Sequence, residues 1–295
     1  MRRRLLCAVD LTERSDEAMR RTALLAKQLN AHVMFMHAVD DSHSGRVIRM
    51  KVNRAYVRLH ALSERVMRGA SADTIVSVRL GKPLDAIAET ARDWTPDLIV
   101  MAAPRRRRLD LILGNTAERV IRNTDCPVLV VRRPALSAYN GVVLATDLSI
   151  TAEHTARTAG DVGVLENGIA CVVHAFGAPN QPSAATTPDR RDVVAAHEAQ
   201  WSTTIYRDLC RSLLAAGIDP SGTRLAVEPT HAVDAIRNAL DRERPELLVI
   251  GVSRAFILKR LVYGTVAEQV LKDSHCDVFA VPPPPRRLMQ WLRAA

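Results

Sequence analysis

The sequence is poor in the features that mark several large classes of protein. Aromatic residues make up only 4% of its 295 residues, so the stacking platforms that single-stranded nucleic acid needs are scarce. No apolar run is long enough to cross a bilayer. The first apolar stretch, Leu5–Val9, ends at Asp10 and is too short for a signal peptide, so the sequence predicts a cytoplasmic protein.

Cysteines are few, and their spacing matches no known framework. The 5 cysteines form no Cys-x-x-Cys pair and no cluster with histidine, which argues against a disulfide scaffold and against a zinc site. Most of them fall in or beside predicted strands, where buried free thiols are the simplest interpretation. We therefore predict neither a metal site nor redox chemistry.

Positive charge exceeds negative charge along the chain. The formal net charge is +9, which attracts polyanions in general. Part of it comes from the run Arg105–Arg108, for which a solvated loop, an anion site and a nucleic-acid contact are all open interpretations. Because the chain has neither a zinc-finger nor a basic leucine-zipper pattern, we do not expect nucleic acid as a partner.

What the sequence does contain is an internal duplication. The segment Gly114–Val120 reappears as Gly264–Val270, and each copy runs into a cysteine and an apolar strand. Asp10 matches Asp147 at an offset of 137 residues, whereas the two glycines match at an offset of 150. Offsets that change in jumps indicate insertions in discrete loops of two related domains. We expect domains at residues 1–134 and 140–282, and a Pro-rich segment with a C-terminal tail at 283–295.

Each half alternates apolar, β-branched runs with stretches of helical period. The predicted strands of the first half are Leu5–Asp10, His32–Val39, Thr74–Leu80, Asp97–Ala102 and Pro127–Arg132. Those of the second half are Val142–Asp147, Ile169–Phe176, Arg224–Glu228, Glu246–Gly251 and Asp277–Val281. Strict alternation with helices favours right-handed crossovers and a parallel sheet. We predict an α/β fold: two tandem doubly wound, Rossmann-like domains, each a five-stranded mostly parallel sheet with helices on both faces.

In such sheets, ligands bind beyond the carboxyl ends of the strands, where the strand order reverses. In the second half, Asp147 and Ala175 end the first two strands, and Gly251 ends the fourth. The chain then reaches Gly264-Thr265 at the start of a predicted helix, where Thr265 can cap the helix and the free N–H groups favour a phosphate. These pieces together predict a nucleotide pocket.

At these residues the chain resembles the universal stress protein family, whose fold is of the adenine nucleotide alpha hydrolase type. The nucleotide-binding loop of that family reads Gly, two residues, Gly, nine residues, Gly and then Ser or Thr. This spacing is kept by Gly251, Arg254 and Gly264-Thr265, with arginine in place of the second glycine. The segments Val266-Ala267-Glu268 and Asp125–Val131 are also similar to the family's pattern.

The resemblance implies ATP or another adenine nucleotide as ligand, with Mg²⁺ bound only together with the nucleotide. By it, Asp147 lies near the ribose or the adenine, and the backbone around Ala175 touches the adenine edge. Gly251, Gly264 and Thr265 hold the phosphates. At Arg254 two alternatives are open, because its side chain either crowds the phosphates or binds them through its guanidinium.

The first half departs further from the family's loop. Ala102 replaces the strand-end glycine, Arg105 stands near the second glycine position, and Gly114 is followed by Asn115. Pro104 stiffens the loop and removes an amide donor. Asp10 is kept, so the sequence predicts a degenerate pocket there.

The function implied is a stress-response binding or regulatory module without efficient catalysis, although slow ATP hydrolysis stays open. One alternative is an interaction protein that binds no nucleotide and acts through its pseudo-dimer surfaces. Another is an adenine-nucleotide-dependent enzyme, for which the loops after the first strands lack the Ser-Gly-Gly pattern of adenylating relatives. In the family the fifth strand commonly mediates pairing, so we expect the strands of Val128 and Val278 to pair the two halves. Association into a homodimer stays open.

Overall fold

A computed structural model of the chain describes residues 2–70, 72–103, 116–176, 203–252 and 266–284. Within them, ten strands form a single sheet in the order β3-β2-β1-β4-β5-β10-β9-β6-β7-β8. The strands of the first half are β1 (Arg4–Ala8), β2 (His32–Val39), β3 (Thr74–Leu80), β4 (Leu98–Ala102) and β5 (Val128–Val131). Those of the second half are β6 (Val142–Thr146), β7 (Cys171–Ala175), β8 (Arg224–Glu228), β9 (Leu247–Gly251) and β10 (Asp277–Val281).

All neighbouring strands run parallel except the pair at the centre of the sheet. There β5 and β10 pair antiparallel, with Phe279 opposite Leu129 and Val278 opposite Val130. The two halves are thus related by reversal about this seam, and each contributes five strands in the same local order. Parallel neighbours within each half require helical crossovers, as the alternation in the sequence predicts. The α/β fold expected from the sequence is confirmed.

Helices cover both faces of the sheet. They are α1 (Glu13–Leu29), α2 (Gly45–Val66), α3 (Pro83–Trp94), α4 (Thr116–Asn123), α5 (Ile150–Asp161), α6 (residues 203–215, which are helical), α7 (Ala232–Glu243) and α8 (Val266–Asp273). One face carries α1, α2, α5 and α6, and its core includes Phe35, Leu129 and Phe279. The other face carries α3, α4, α7 and α8 over Ile99, Val130 and Val278. Because successive side chains of a strand alternate, each buried strand supplies both cores.

Several predicted elements extend beyond the observed ones, and for two of them the backbone shows the cause. The apolar periodicity of the sequence predicts a helix over Ala152–Leu165, whereas the observed helix begins at Ile150 and ends at Asp161. Gly163 follows with a φ of +72°, a left-handed conformation that breaks the helix. The first strand, expected to reach Asp10, ends at Ala8. The chain turns there through Leu11, whose φ is +59°.

The connection between the halves packs against the seam. Tyr139 is buried and its hydroxyl donates a hydrogen bond of 2.6 Å to Oδ2 of Asp277 in β10. Oδ1 of Asp277 accepts the backbone N–H groups of Arg132 and Arg133 at 2.7 and 2.9 Å. Arg21 of α1 stacks its guanidinium 3.7 Å from the centre of the Tyr139 ring. Residues from both halves therefore fix the connection.

The five cysteines are free thiols, and three of them are buried. Burial raises the pKa of Cys7 to about 12 and that of Cys276 to about 11, so both stay protonated near neutral pH. Among the described helices, none combines the length and apolar character that crossing a membrane requires.

Candidate functional site

The strand order places the predicted pocket at a switch point. In the second half, β6 has β7 on one side and β9 on the other, and all three run parallel. Their carboxyl ends therefore open at the same edge of the sheet. Asp147 directly follows β6, Ala175 ends β7 and Gly251 ends β9. The structure thus brings these three predicted residues to adjacent strand ends, where open α/β sheets bind ligands.

Asp147 belongs to a tight turn that leads into α5. Its Oδ1 accepts the backbone N–H of Ser149 at 3.0 Å, and Leu148 between them has a φ of +58°. Ser149 in turn caps the helix by accepting the N–H of Ala152 at 3.3 Å. The carboxylate is exposed, and Oδ2 has no hydrogen-bond partner in the described part of the chain. Asp147 therefore presents a free acceptor at the strand end.

The matching residue in the first half, Asp10, is also exposed and its Oδ2 also has no partner among the described residues, but its Oδ1 is more heavily engaged. Oδ1 of Asp10 accepts the Ser15 hydroxyl at 2.5 Å, the Thr12 hydroxyl at 2.7 Å and the Thr12 N–H at 2.9 Å. Partial burial raises the pKa of Asp10, but the hydrogen bonds from Ser15 and Thr12 outweigh it and lower the pKa below its ordinary value. In the second half Ala152 stands where Ser15 would be, so this network is not repeated.

Two matched histidines stand next to these turns. Nδ1 of His37 lies 2.7 Å from the carbonyl oxygen of Val9, and Nδ1 of His174 lies 2.9 Å from that of Thr146. Each ring thus ties the second strand of its half to the end of the first. This contact gives the repeated histidine a structural role at the strand end. Among the described residues, no cluster of histidine, cysteine or carboxylate side chains could hold a metal ion.

The strand-end glycine is closely approached by α5. A Cβ on Gly251 would lie 2.9 Å from Oγ1 of Thr155, closer than real Cβ atoms come to a neighbour. The hydroxyl of Thr155 donates to the carbonyl of Thr151 at 2.8 Å, which fixes its position. In the first half the corresponding residues are Ala102 and Ala18, a larger residue on the strand facing a smaller one on the helix. Packing alone therefore accounts for a glycine at 251.

Several predicted site residues lie outside the described part of the chain. These are Arg254, Gly264 and Thr265 of the second loop and Arg105, Gly114 and Asn115 of the first. Of the first half's predicted site, Asp10 and Ala102 are described and lie at the carboxyl ends of β1 and β4.

Two features of this edge were not predicted from the sequence. The first is the left-handed conformation of Leu11 and Leu148, and the second is the contact of Thr155 with Gly251. The repeated order Asp-Leu-Thr/Ser was a signal for the first, because an aspartate followed by a hydroxyl residue favours an Asx turn. The second had no local signal, since the partners are far apart in the chain.

A large groove lies at the opposite edge of the sheet. It has a volume of about 990 Å³ and runs between α7 and α8, next to Pro245 and Cys276 at the amino ends of β9 and β10. Of the predicted site residues that the structure describes, none lines this groove. At the carboxyl edge, the described residues offer carboxylate and hydroxyl acceptors together with backbone groups.

Comparison with known proteins gives consistent matches along the chain. The model of the universal stress protein family matches residues 1–132 and 138–282. Universal stress protein MJ0531 of Methanocaldococcus jannaschii is 47% identical over 55 residues, which cover 18% of this chain and 32% of that protein. Universal stress protein A homolog 2 of Coxiella burnetii is 28% identical over 138 residues, which cover 44% of this chain and 94% of that protein. A solved universal stress protein from Archaeoglobus fulgidus has a similar fold, with a TM-score of 0.71 at 15% identity over 96% of this chain and 97% of its own.

Proposed function

The chain belongs to the universal stress protein family, present twice in tandem, and we propose that its second half binds ATP or another adenine nucleotide in a regulatory rather than a catalytic role. The domains that we propose span residues 1–134 and 140–282, close to the two family matches. The cytoplasmic location stays a prediction. Mg²⁺ enters this proposal only together with the nucleotide.

The observation that carries the proposal is the difference between the two aspartates. Asp147 is exposed and uses one oxygen for one backbone N–H, so Oδ2 can accept a hydrogen bond from a ribose hydroxyl or an adenine amino group. Asp10 gathers three hydrogen bonds from its own turn. Both aspartates are exposed, and neither Oδ2 has a partner among the described residues, but Oδ1 accepts one hydrogen bond in Asp147 and three in Asp10. The carboxylate of the second half is therefore the one less engaged by its own turn.

The remaining roles follow the family resemblance. The backbone at Ala175 is proposed to face the adenine edge, and Gly251 with Gly264 and Thr265 to hold the phosphates. The phosphate role of Gly251 is supported by its position at the end of β9. The presence of a glycine there is not further support, because the contact with Thr155 by itself requires one. Arg254 is proposed to bind phosphate through its guanidinium, which can form two parallel hydrogen bonds. The first pocket, with Asp10, Ala102, Arg105, Gly114 and Asn115, is proposed to bind nucleotide weakly or not at all.

Isothermal titration with ATP tests the nucleotide part. We expect Asp147→Ala to weaken binding by roughly ten-fold or more, the value of a hydrogen bond to a charged group. The matched variant Asp10→Ala should leave the affinity unchanged, and Gly264→Val should abolish binding. Absence of heat with wild-type protein at sub-millimolar ATP would contradict the proposal, as would a larger loss with Asp10→Ala. Adenine nucleotide released from the heat-denatured purified protein would support it independently.

A second candidate function is protein interaction without nucleotide. It is favoured by the central seam, where β5 and β10 complete one continuous sheet inside a single chain. We propose this seam as a built-in dimer interface that replaces the association of two single-domain chains. Light scattering measures whether two such chains associate further. A protein that retains no nucleotide and gives no titration heat would favour this function over the first.

A further inference from the structure

Helix α2 carries a strong excess of positive charge. Over Gly45–Val66 it has six arginine and lysine residues and one carboxylate, Glu64. Glu64 lies 3.7 Å from His60, and Arg65 pairs with Asp16 of α1 at 2.8 Å. Within the described chain, the other five cations have no carboxylate partner: Arg46, Arg49, Lys51, Arg54 and Arg58. Their charge is therefore free to attract an external polyanion.

The outward face of the same helix also carries apolar side chains. Met50 and Val57 are 64% and 68% exposed, and Tyr56 is 47% exposed. The buried face of α2 is formed by Ala55, Leu59 and Ser63, so Met50 and Val57, seven residues apart, lie on the opposite side. Arginines therefore flank an exposed apolar stripe along the helix.

The position of α2 leaves this face open within the described structure. The helix packs on β2 and β3, and β3 is the last strand at one end of the sheet. In the matching helix α6, the described residues 203–215 include two cations, Arg207 and Arg211, and Arg211 pairs with Asp208 at 2.9 Å. The described part of α6 therefore carries fewer cations than α2.

We propose that the outward face of α2 binds the surface of a bilayer that contains anionic lipids. The five cations without a carboxylate partner, of which Lys51 lies 3.1 Å from Nε2 of His43, would contact the phosphate headgroups. Met50 and Val57 would enter the boundary between headgroups and acyl chains. Basic amphipathic helices with apolar residues on the contacting face bind membranes in this way, lying in the plane of the surface. A helix at the end of the sheet, whose outer side has no neighbour among the described residues, can lie flat on such a surface.

Two other partners fit the observations less well. A nucleic acid would use the cations but gain little from the exposed Met50 and Val57, and Tyr56 alone offers an exposed aromatic ring for stacking on this helix. A second copy of α2 would bring like charges together, which repels. Only a bilayer surface uses the charge and the apolar stripe at the same time.

Co-sedimentation of the full chain with vesicles tests the proposal. We expect binding to phosphatidylcholine vesicles that contain phosphatidylglycerol, little binding to phosphatidylcholine alone, and weaker binding at high salt. Each basic residue near an anionic surface contributes about five-fold in affinity, so Arg49→Gln/Arg54→Gln/Arg58→Gln should weaken binding about a hundred-fold. Met50→Ser/Val57→Ser should weaken it about ten-fold without changing the net charge.

A matched control separates the helix from the net charge. Arg92→Gln/Arg119→Gln/Arg207→Gln removes the same charge from exposed sites elsewhere and should bind vesicles like the wild type. Equal loss with this control would overturn the proposal, as would wild-type protein that binds both vesicle types alike or neither. Tighter binding to duplex DNA than to anionic vesicles, unaffected by Met50→Ser/Val57→Ser, would assign the surface to nucleic acid instead. The wild-type comparison does not depend on how any variant folds.

Discussion

At the scale of single residues, the two halves solve one packing problem in two ways. Where the fourth strand of each half ends against the first helix, the second half pairs Gly251 with Thr155 and the first half pairs Ala102 with Ala18. The combined volume of the two side chains is limited by the space between sheet and helix, because protein interiors are close-packed. A glycine that matches a phosphate-binding motif thus also has a structural cause.

A double-mutant cycle tests this packing. Gly251→Ala should destabilise the protein by about 1–3 kcal/mol, because the new methyl group meets the Thr155 hydroxyl. In the background of Thr155→Ala, which restores the pair used by the first half, the same substitution should cost much less. Thr155→Val keeps the bulk of the side chain and should give no such rescue. Chemical denaturation measures each step, and additive costs would refute the packing explanation.

The residues at the strand ends could be predicted only in part. Asp147, Ala175 and Gly251 were found because strand ends and switch points follow from the alternation of elements. Asp10 accepts more hydrogen bonds than Asp147, in part because the Ser15 hydroxyl donates to it across a turn. The counterpart of Ser15 in the second half is Ala152, which has no hydroxyl. Thr155 reaches Gly251 only through the packing of α5 on β9, a contact between distant parts of the sequence that local patterns do not encode.

At the scale of elements, the connection between the halves depends on one buried carboxylate. Asp277 begins β10, is fully buried, and accepts hydrogen bonds from Tyr139, Arg132 and Arg133. Arg21 lies over the ring of Tyr139 and donates to the carbonyl of Ser137 at 2.6 Å. The corresponding position in the first half is Pro127, which can supply none of these bonds. This set of hydrogen bonds is therefore specific to the connection between the halves, and the first half does not repeat it at Pro127.

Asp277 should make stability depend on pH in an unusual direction. Burial raises its pKa above 3.8, although the hydrogen bonds from Tyr139 and the two amides oppose the shift. The folded state then holds the proton more tightly than the unfolded state, so this group's contribution to stability falls as pH rises through the window above 3.8. The stability of Asp277→Asn relative to wild type should therefore increase from acid to neutral pH in urea denaturation.

Two further variants check this assignment. Tyr139→Phe removes a hydrogen bond to the ionised carboxylate, which should raise the pKa of Asp277 further and steepen the dependence on pH. Asp277→Ala leaves two amides and a hydroxyl without their acceptor and should cost about 2–5 kcal/mol. A difference between wild type and Asp277→Asn that stays constant with pH would show that the carboxyl titrates at its ordinary value.

The helices and strands were largely predictable from the sequence, and the differences between predicted and observed bounds have physical causes. The bounds of β2, β3, β8 and β10 agree with the prediction, because apolar runs between turn residues define them. Helix α5 ends before Leu165 because Gly163 takes a left-handed conformation and approaches Gln28 of α1. The carbonyl of Gly163 accepts a hydrogen bond of 2.8 Å from the side-chain amide of Gln28. Contact with the other half thus sets this boundary, and a single half's sequence does not reveal it.

At the scale of the whole molecule, the halves share their cores as well as their sheet. Each helix-covered face of the sheet has one cluster of buried side chains that includes residues from both halves. Across the seam, Phe279 of β10 lies opposite Leu129 of β5 in the same cluster. Burial that is continuous across a seam couples the two sides, because neither can unfold without exposing the apolar surface of the other.

Calorimetry of the full chain tests this coupling. We expect one cooperative unfolding transition for the wild type, although a chain of this length with two domains often shows more. Phe35→Ala empties a fully buried site far from the seam, and it should lower that single transition by roughly 5–10 °C, since such a cavity costs about 3–5 kcal/mol. Phe279→Ala, at the seam, serves as the matched substitution and should shift the same transition by a similar amount. Independent halves would instead respond to Phe35→Ala with two transitions, the lower one belonging to the first half and the upper one unchanged from the wild type.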